Sequence, residues 1–250
     1  MHVIEFQGAG ARSVGLQAAG EPVAPISKLL EDATVRWNDR PVLLAAGAYM
    51  LATASLVEQE PIIWHEAARG LYRWDQLRVV LVQDRMLEPS RIQLYRVQLN
   101  PLTEPQESQE SHESGNDKGS TTWDDTLRTR LLQFRAELCK AGLEQMRRHL
   151  SGRISGGQST LQHQLVKGIV ADVLTTLYMA ETLPQDQYLS AKPDLPLRRV
   201  HEWIHRELDE AFRQIQRLGG GFGFLRQGVS SYIYTGQLVK NMLLTGEEDY

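Results

Sequence analysis

The chain has 250 residues, 42% of them hydrophobic, with a formal net charge of -4 and a pI near 6.0. That length allows a substantial core in one or two domains, and the acidic balance argues against a general nucleic-acid binder: the pairs Arg147-Arg148 and Arg198-Arg199 sit among acids. The single cysteine, Cys139, excludes an intramolecular disulfide and a cysteine-rich metal site and fits a reducing cytoplasm.

His2, Glu5 and Gln7 break up the N-terminus, so no signal peptide is expected. Residues 1–99 read as a small β-rich domain. Val3-Ile-Glu-Phe6 suits a short strand, and Ile26 to Glu31 one helical turn. Thr34-Val-Arg-Trp37 runs into the turn residues Asn38-Asp39, with Val42 onward as the returning strand. The longest apolar run, Pro41 to Val57, contains Gly47, Thr53 and Ser55. It falls short of the ~20 strongly apolar residues of a spanning helix, so a buried segment and no membrane span are expected. Leu77 to Gln83 and Arg91 to Leu99 add two strands rich in Val, Ile, Leu and Tyr.

Residues 100–121 are polar and of low complexity, without a large apolar residue after Leu102. Such a stretch cannot repay its ordering entropy, which predicts a linker or a long disordered loop with His112 solvated. Residues 122–250 then read as helices. Leu127, Leu131, Phe134, Leu138 and Ala141 recur at helical spacing, continued by Cys139, Leu143, Met146 and Leu150 one position round. Thr122 and Asp125 suit the start of this helix. Ser151-Gly-Arg-Ile-Ser-Gly-Gly-Gln158 is a tight turn. A second helix follows, with Leu161, Leu165, Ile169, Val173 and Leu177 on one face and Ser159 with Gln162 as a capping box. Asp194 and Pro196 mark a third start. Its stripe is Leu197, Val200, Ile204, Leu208, Ala211, Ile215 and Leu218, ending at Gly219. A fourth helix spans about Val229 to Leu244. Amphipathic helices of this length cannot bury their stripes alone, so the expected fold is α+β, mainly α: a small β domain followed by a four-helix bundle.

Two motifs carry chemistry. His201-Glu-Trp-Ile-His205 is an HExxH, in which imidazoles at i and i+4 share a helix face and could hold zinc while Glu202 polarises its water. A third ligand is not evident. Leu208 and Ala211 stand where the metzincin extension needs Gly and His, and the last helix offers no carboxylate before Glu247. The plain alternative places His201 and His205 half-exposed beside the apolar stripe. On balance no metal is expected, and a zinc hydrolase is the weaker functional alternative.

The second motif extends further. Arg153, Gly157 and Gln164 match a pattern R-x-x-F-G-x-x-L-x-x-x-Q, with Gly156 in place of Phe and Thr160 in place of Leu. Gly220-Gly-Phe-Gly-Phe224 matches a glycine-rich stop, with Gln216 one residue out of register. In this order and spacing the half of the chain from about Thr122 to Gly246 resembles the C-terminal helical domain of acyl-CoA dehydrogenases. The short tail after the glycines most resembles the branch found in heteromeric steroid-degrading enzymes.

The resemblance implies a flavoprotein with FAD held by Arg153, Gln164, Gly220, Gly221 and Gly223, often across a subunit interface. Glycines let backbone amides approach phosphate, and arginine offers a bidentate fork. It also implies an acyl thioester of CoA or a carrier protein as substrate, and a homo-oligomer or a hetero-oligomer with a fuller dehydrogenase subunit. Trp74-Asp-Gln-Leu-Arg-Val79 resembles the closing strand of the family's middle β-domain, so residues 1–99 would be a reduced version of it, and the N-terminal helical domain has no counterpart. No catalytic base can be assigned. Tyr234-Thr-Gly236 echoes one branch's motif without its acid. Leu127, just before Arg128, occupies the position of the other branch's Glu, while Asp124 and Asp125 are read as caps pointing elsewhere. Two functions of different class follow: an acyl-CoA dehydrogenase-like oxidoreductase subunit, or a non-catalytic scaffold or helper subunit that keeps the fold.

Overall fold

A computed structural model describes residues 23–100, 123–185, 197–225 and 228–244. Val3–Phe6, the Thr122 cap, most of the polar stretch and the Asp194–Pro196 helix start lie outside those residues.

The N-terminal part opens with α1 (Ile26–Ala33), a longer helix than one turn, with Ile26 and Leu30 buried. Strands β1 (Val35–Trp37) and β2 (Arg40–Ala45) form the expected hairpin. Its turn residues Asn38 and Asp39 have φ of 49° and 63°, a left-handed pair that short polar side chains tolerate. The apolar run is buried as expected, but it divides: β2 turns at Gly47 and Ala48, both at positive φ, into β3 (Tyr49–Ala52), and then enters α2 (Ala54–Glu58). Thr53 caps α2 by accepting from the Leu56 amide at 3.2 Å.

Two strands, β4 (Ile62–His65) and β5 (Gly70–Arg73), went unread in the sequence. All four residues of β4 are buried, so no alternation marks it. Trp74–Gln76 forms a single 3-10 turn rather than the start of a strand, and β6 (Leu77–Val82) follows it, with β7 (Gln93–Leu99) as its antiparallel partner. One sheet has the order β1-β2-β4-β5, with β2 and β4 parallel (Val42 opposite Ile62). The other is antiparallel, β3-β7-β6.

The bundle consists of α3 (Trp123–Ser151), α4 (Gln164–Thr182), α5 (Leu197–Gly219) and α6 (Val229–Leu244). Helix α3 is central, packed against α4, α5, α6 and α1, so it buries far more than one stripe: Leu132, Phe134, Leu138, Cys139, Leu143 and Met146 are all inaccessible. The fold is α+β and mainly α. No helix among the described residues is long and apolar enough to cross a membrane.

Two local expectations are corrected. The Ser159–Gln162 capping box does not form. Ser159 Oγ instead donates to the carbonyls of Leu150 and Ser151 at 3.2 and 3.1 Å, closing the end of α3, and α4 starts only at Gln164, after one 3-10 turn. The turn itself is a small β-hairpin, β8 (Ile154–Ser155) with β9 (Gln158–Ser159), made possible by Gly156 and Gly157 at φ 60° and 78°. The α4 stripe is also shorter than predicted. Val173 and Leu177 are buried, whereas Leu165 is 78% exposed; near the start of α4 it is Leu161 and Val166 that pack against the core.

Candidate functional site

Where the β4–β5 turn meets the bundle, a cavity of about 300 Å³ opens between the starts of α3 and α5 and the end of α6. That volume lies at the lower end of the range of small-molecule sites. Arg128 fastens its wall. Nε donates to Asp124 Oδ2 at 2.9 Å, Nη1 donates to the Leu243 carbonyl at 2.9 Å, and Nη2 pairs with Glu66 of the β4–β5 turn. Asp124 and Asp125, half-buried in the first turn of α3, both line the cavity. Asp124 Oδ1 is buried and faces the Trp64 indole. Burial raises its pKa, the facing Trp64 indole works against that rise, and Asp125 adds to it. Trp64, on β4 and 3% exposed, turns its buried Nε1 towards that carboxylate.

The two histidines of the HExxH motif line the same cavity and are buried, not half-exposed, because α3 covers their face of α5. His201 Nε2 lies 3.5 Å from Thr129 Oγ1. Arg135 Nη1 donates to His205 Nδ1 at 3.0 Å and to the His205 carbonyl at 2.6 Å. Arg135 is fully buried. Nε donates to the Gly236 carbonyl at 2.8 Å, Nη2 pairs with Asp209, and Lys240 pairs with the same carboxylate. Burial pushes the His201 pKa down to about 4. It pushes that of His205 down to about 2, with Arg135 as the next cause. Both imidazoles are therefore neutral at pH 7. Among the described residues no three His, Cys, Asp or Glu side chains form a metal-binding group.

At the other end of the bundle, the five residues implicated in flavin binding lie on the hairpin after α3, at the start of α4 and on the turn after α5. His149 of α3 stacks on Phe222 (ring centroids 4.0 Å apart, planes within 4°), joining the end of α3 to the 3-10 turn Gly220–Phe224 that follows α5. Arg153 and Gln164 are exposed on either side of the β8–β9 hairpin. Gly220 (φ 49°) and Gly221 are exposed, and a Cβ on Gly221 would meet nothing within 4 Å. Gly223 differs: it is buried, and a Cβ there would collide with the Gln216 backbone carbonyl. Gly223→Ala is accordingly expected to cost about 1–3 kcal/mol, read as a lower urea midpoint with an unchanged m-value. Gly221→Ala should leave the midpoint in place.

The cavity was not predicted from sequence, although one signal existed. Arg135 interrupts the α3 stripe between Leu131 and Leu138, at a position where a charge needs a buried partner.

This architecture is the acyl-CoA dehydrogenase fold. The chain is similar to the Tcur3481-Tcur3483 steroid ACAD (15% identity, 80% of this chain and 57% of that chain, TM-score 0.50). It is also similar to an inferred acyl-CoA dehydrogenase from Mycobacterium smegmatis (13%, 80% and 64%, TM-score 0.51) and to butyryl-CoA dehydrogenase from Megasphaera elsdenii (10%, 80% and 58%, TM-score 0.50). The chain thus spans roughly three fifths of the length of these structures. No family model and no curated protein matches the sequence.

Proposed function

We propose that the chain is a flavoprotein subunit of acyl-CoA dehydrogenase type that handles an acyl thioester, delivered by CoA or a carrier protein, and works as an oligomer. The observation carrying this reading is that Arg153, Gln164, Gly220 and Gly221 are all exposed, on segments that follow α3 and α5 or open α4 in a bundle of this fold. Their chemistry suits a pyrophosphate: a cation without a side-chain partner among the described residues, an amide side chain, and backbone open to close approach at Gly221. Gly223 would contribute by shaping the turn, since its own surroundings are filled. FAD, when bound, supplies the acceptor for hydride transfer.

Oligomer formation is supported by distance. Helix α3, of 29 residues, separates the cluster from the cavity by about 43 Å, so a single protomer does not bring the two together. Ile154, Leu165, Phe224 and Leu225 are exposed at the cluster end, the kind of apolar surface that subunits cover. The second reading, a helper subunit that keeps the fold without catalysis, is favoured by buried, apolar Leu127 at the place of one branch's carboxylate base. The reducing compartment inferred from Cys139 belongs to either reading.

The test is absorbance after desalting from excess FAD. Retained bands at roughly 370 and 450 nm are expected. Arg153→Ala and Gly221→Ala should lose them while the unfolding midpoint stays the same. A protein that never retains flavin would remove the flavoprotein reading and leave the helper subunit.

A further inference from the structure

The β8–β9 hairpin beside Arg153 has no apolar anchor of its own. Residues 151–158 are all exposed, Ile154 among them, and the tip is Gly156-Gly157. A pair of two-residue strands is not stable in water by itself, so contacts from outside the hairpin set its position. Those contacts are polar, and they come from the stretch that leads into α4.

The Arg153 carbonyl accepts from the Thr160 amide at 2.7 Å and from Thr160 Oγ1 at 3.1 Å. His163 bridges the tip. Its Nε2 lies 3.2 Å from the Ser155 carbonyl oxygen, and its Nδ1 lies 3.4 Å from Gln158 Nε2. A carbonyl can only accept, so Nε2 carries the ring proton and Nδ1 accepts from the Gln158 amide. A Cβ on Gly156 would come 3.9 Å from His163 Cε1, so the ring lies against the tip. Gly156 and Thr160 are also the positions where the pattern around Arg153 has Phe and Leu. Polar contacts thus stand in for apolar ones.

We propose that His163 is a positioning residue for the flavin pyrophosphate: it pins the hairpin tip to the start of α4 and so fixes Arg153 relative to Gln164. The inference rests on the flavin reading above. The hydrogen bond from Thr160 to the Arg153 carbonyl and one 3-10 turn, Thr160–Gln162, connect Arg153 to His163, and Gln164 is the next residue. A guanidinium and an amide that engage one pyrophosphate need a constant separation. If the hairpin is loose, binding must first order it, and affinity falls.

The experiment compares the full chain with His163→Ala and His163→Gln in two measurements. The first, without flavin, is NMR relaxation of the Gly156 and Gly157 amides. In His163→Ala their order parameters should fall from rigid values to below about 0.6. The second is FAD titration followed by quenching of flavin fluorescence. His163→Ala should bind FAD about fivefold or more weakly, the factor for one net hydrogen bond, at an unchanged urea midpoint. His163→Gln keeps an N–H for the Ser155 carbonyl and should recover most of the affinity. Wild type that binds no FAD would remove the flavin reading, and the pyrophosphate role with it. Wild type that binds FAD no better than His163→Ala would overturn the positioning role alone, as would glycine amides that stay rigid in that variant. Equal losses in the Ala and Gln variants would overturn the hydrogen-bonded clamp.

Discussion

Replacing Arg135 with methionine is expected to lower stability by about 3 kcal/mol or more, among the largest losses open to a single substitution in this bundle. Methionine keeps most of the volume but none of the five donors. The carbonyls of Gly236 and His205 lose their partners inside the core, and the stacking of the guanidinium over Phe212, 5.6 Å from the ring centroid, is lost too. Asp209 retains Lys240, which keeps the loss from growing further. Urea denaturation measures the effect directly. A change below about 1 kcal/mol would mean that the network offsets only its own desolvation.

The second large effect is on acid stability. The folded-state pKa values of His201 and His205, about 4 and about 2, lie below the 6.5 of an unfolded histidine. The unfolded chain therefore binds more protons than the folded one below pH 6.5, and stability falls as pH drops. Their contribution is complete above pH 6.5. By pH 4 each histidine has withdrawn roughly 3 kcal/mol, since one unit of pKa difference is about 1.4 kcal/mol. Arg128, Arg135 and Lys240 resist protonation from α3 and α6, and Asp125 partly offsets them at His201. Asp124 opposes the trend, because its raised pKa lets it shed an unfavourable charge on acidification. Denaturation midpoints at pH 7, 5.5 and 4 should fall steeply, and His205→Gln should flatten the slope. An equal slope in the variant would place the acid sensitivity elsewhere.

The bundle was legible because its helices are long and their apolar residues recur. The α5 stripe of Val200, Ile204, Leu208, Ala211 and Ile215 is buried as read. The β region was legible only where strands alternate or a turn announces itself, as at Asn38-Asp39. Strand β4 is buried on both faces and looks like any short apolar run. At the hairpin, Ser159 offered a cap in sequence but closes the preceding helix instead, a choice set by the two-residue turn at Gly156-Gly157. The cavity escaped for a different reason. Its residues come from β4, α3, α5 and α6, and no spacing along the chain connects Trp64 with His205. The glycine and arginine positions of the flavin cluster could be named because a family pattern ties them together in sequence.

Arg128 has one more consequence. A single guanidinium holds Glu66 at the sheet turn, Asp124 on its own helix and the carbonyl of Leu243 near the end of the last helix. Residues almost 180 positions apart thus share one cross-brace, and the cavity mouth cannot widen on one side without loosening the others. The β4–β5 turn and the end of α6 are coupled through this one side chain, so an occupant of the cavity would be felt at the last turn of α6 as well as at the sheet.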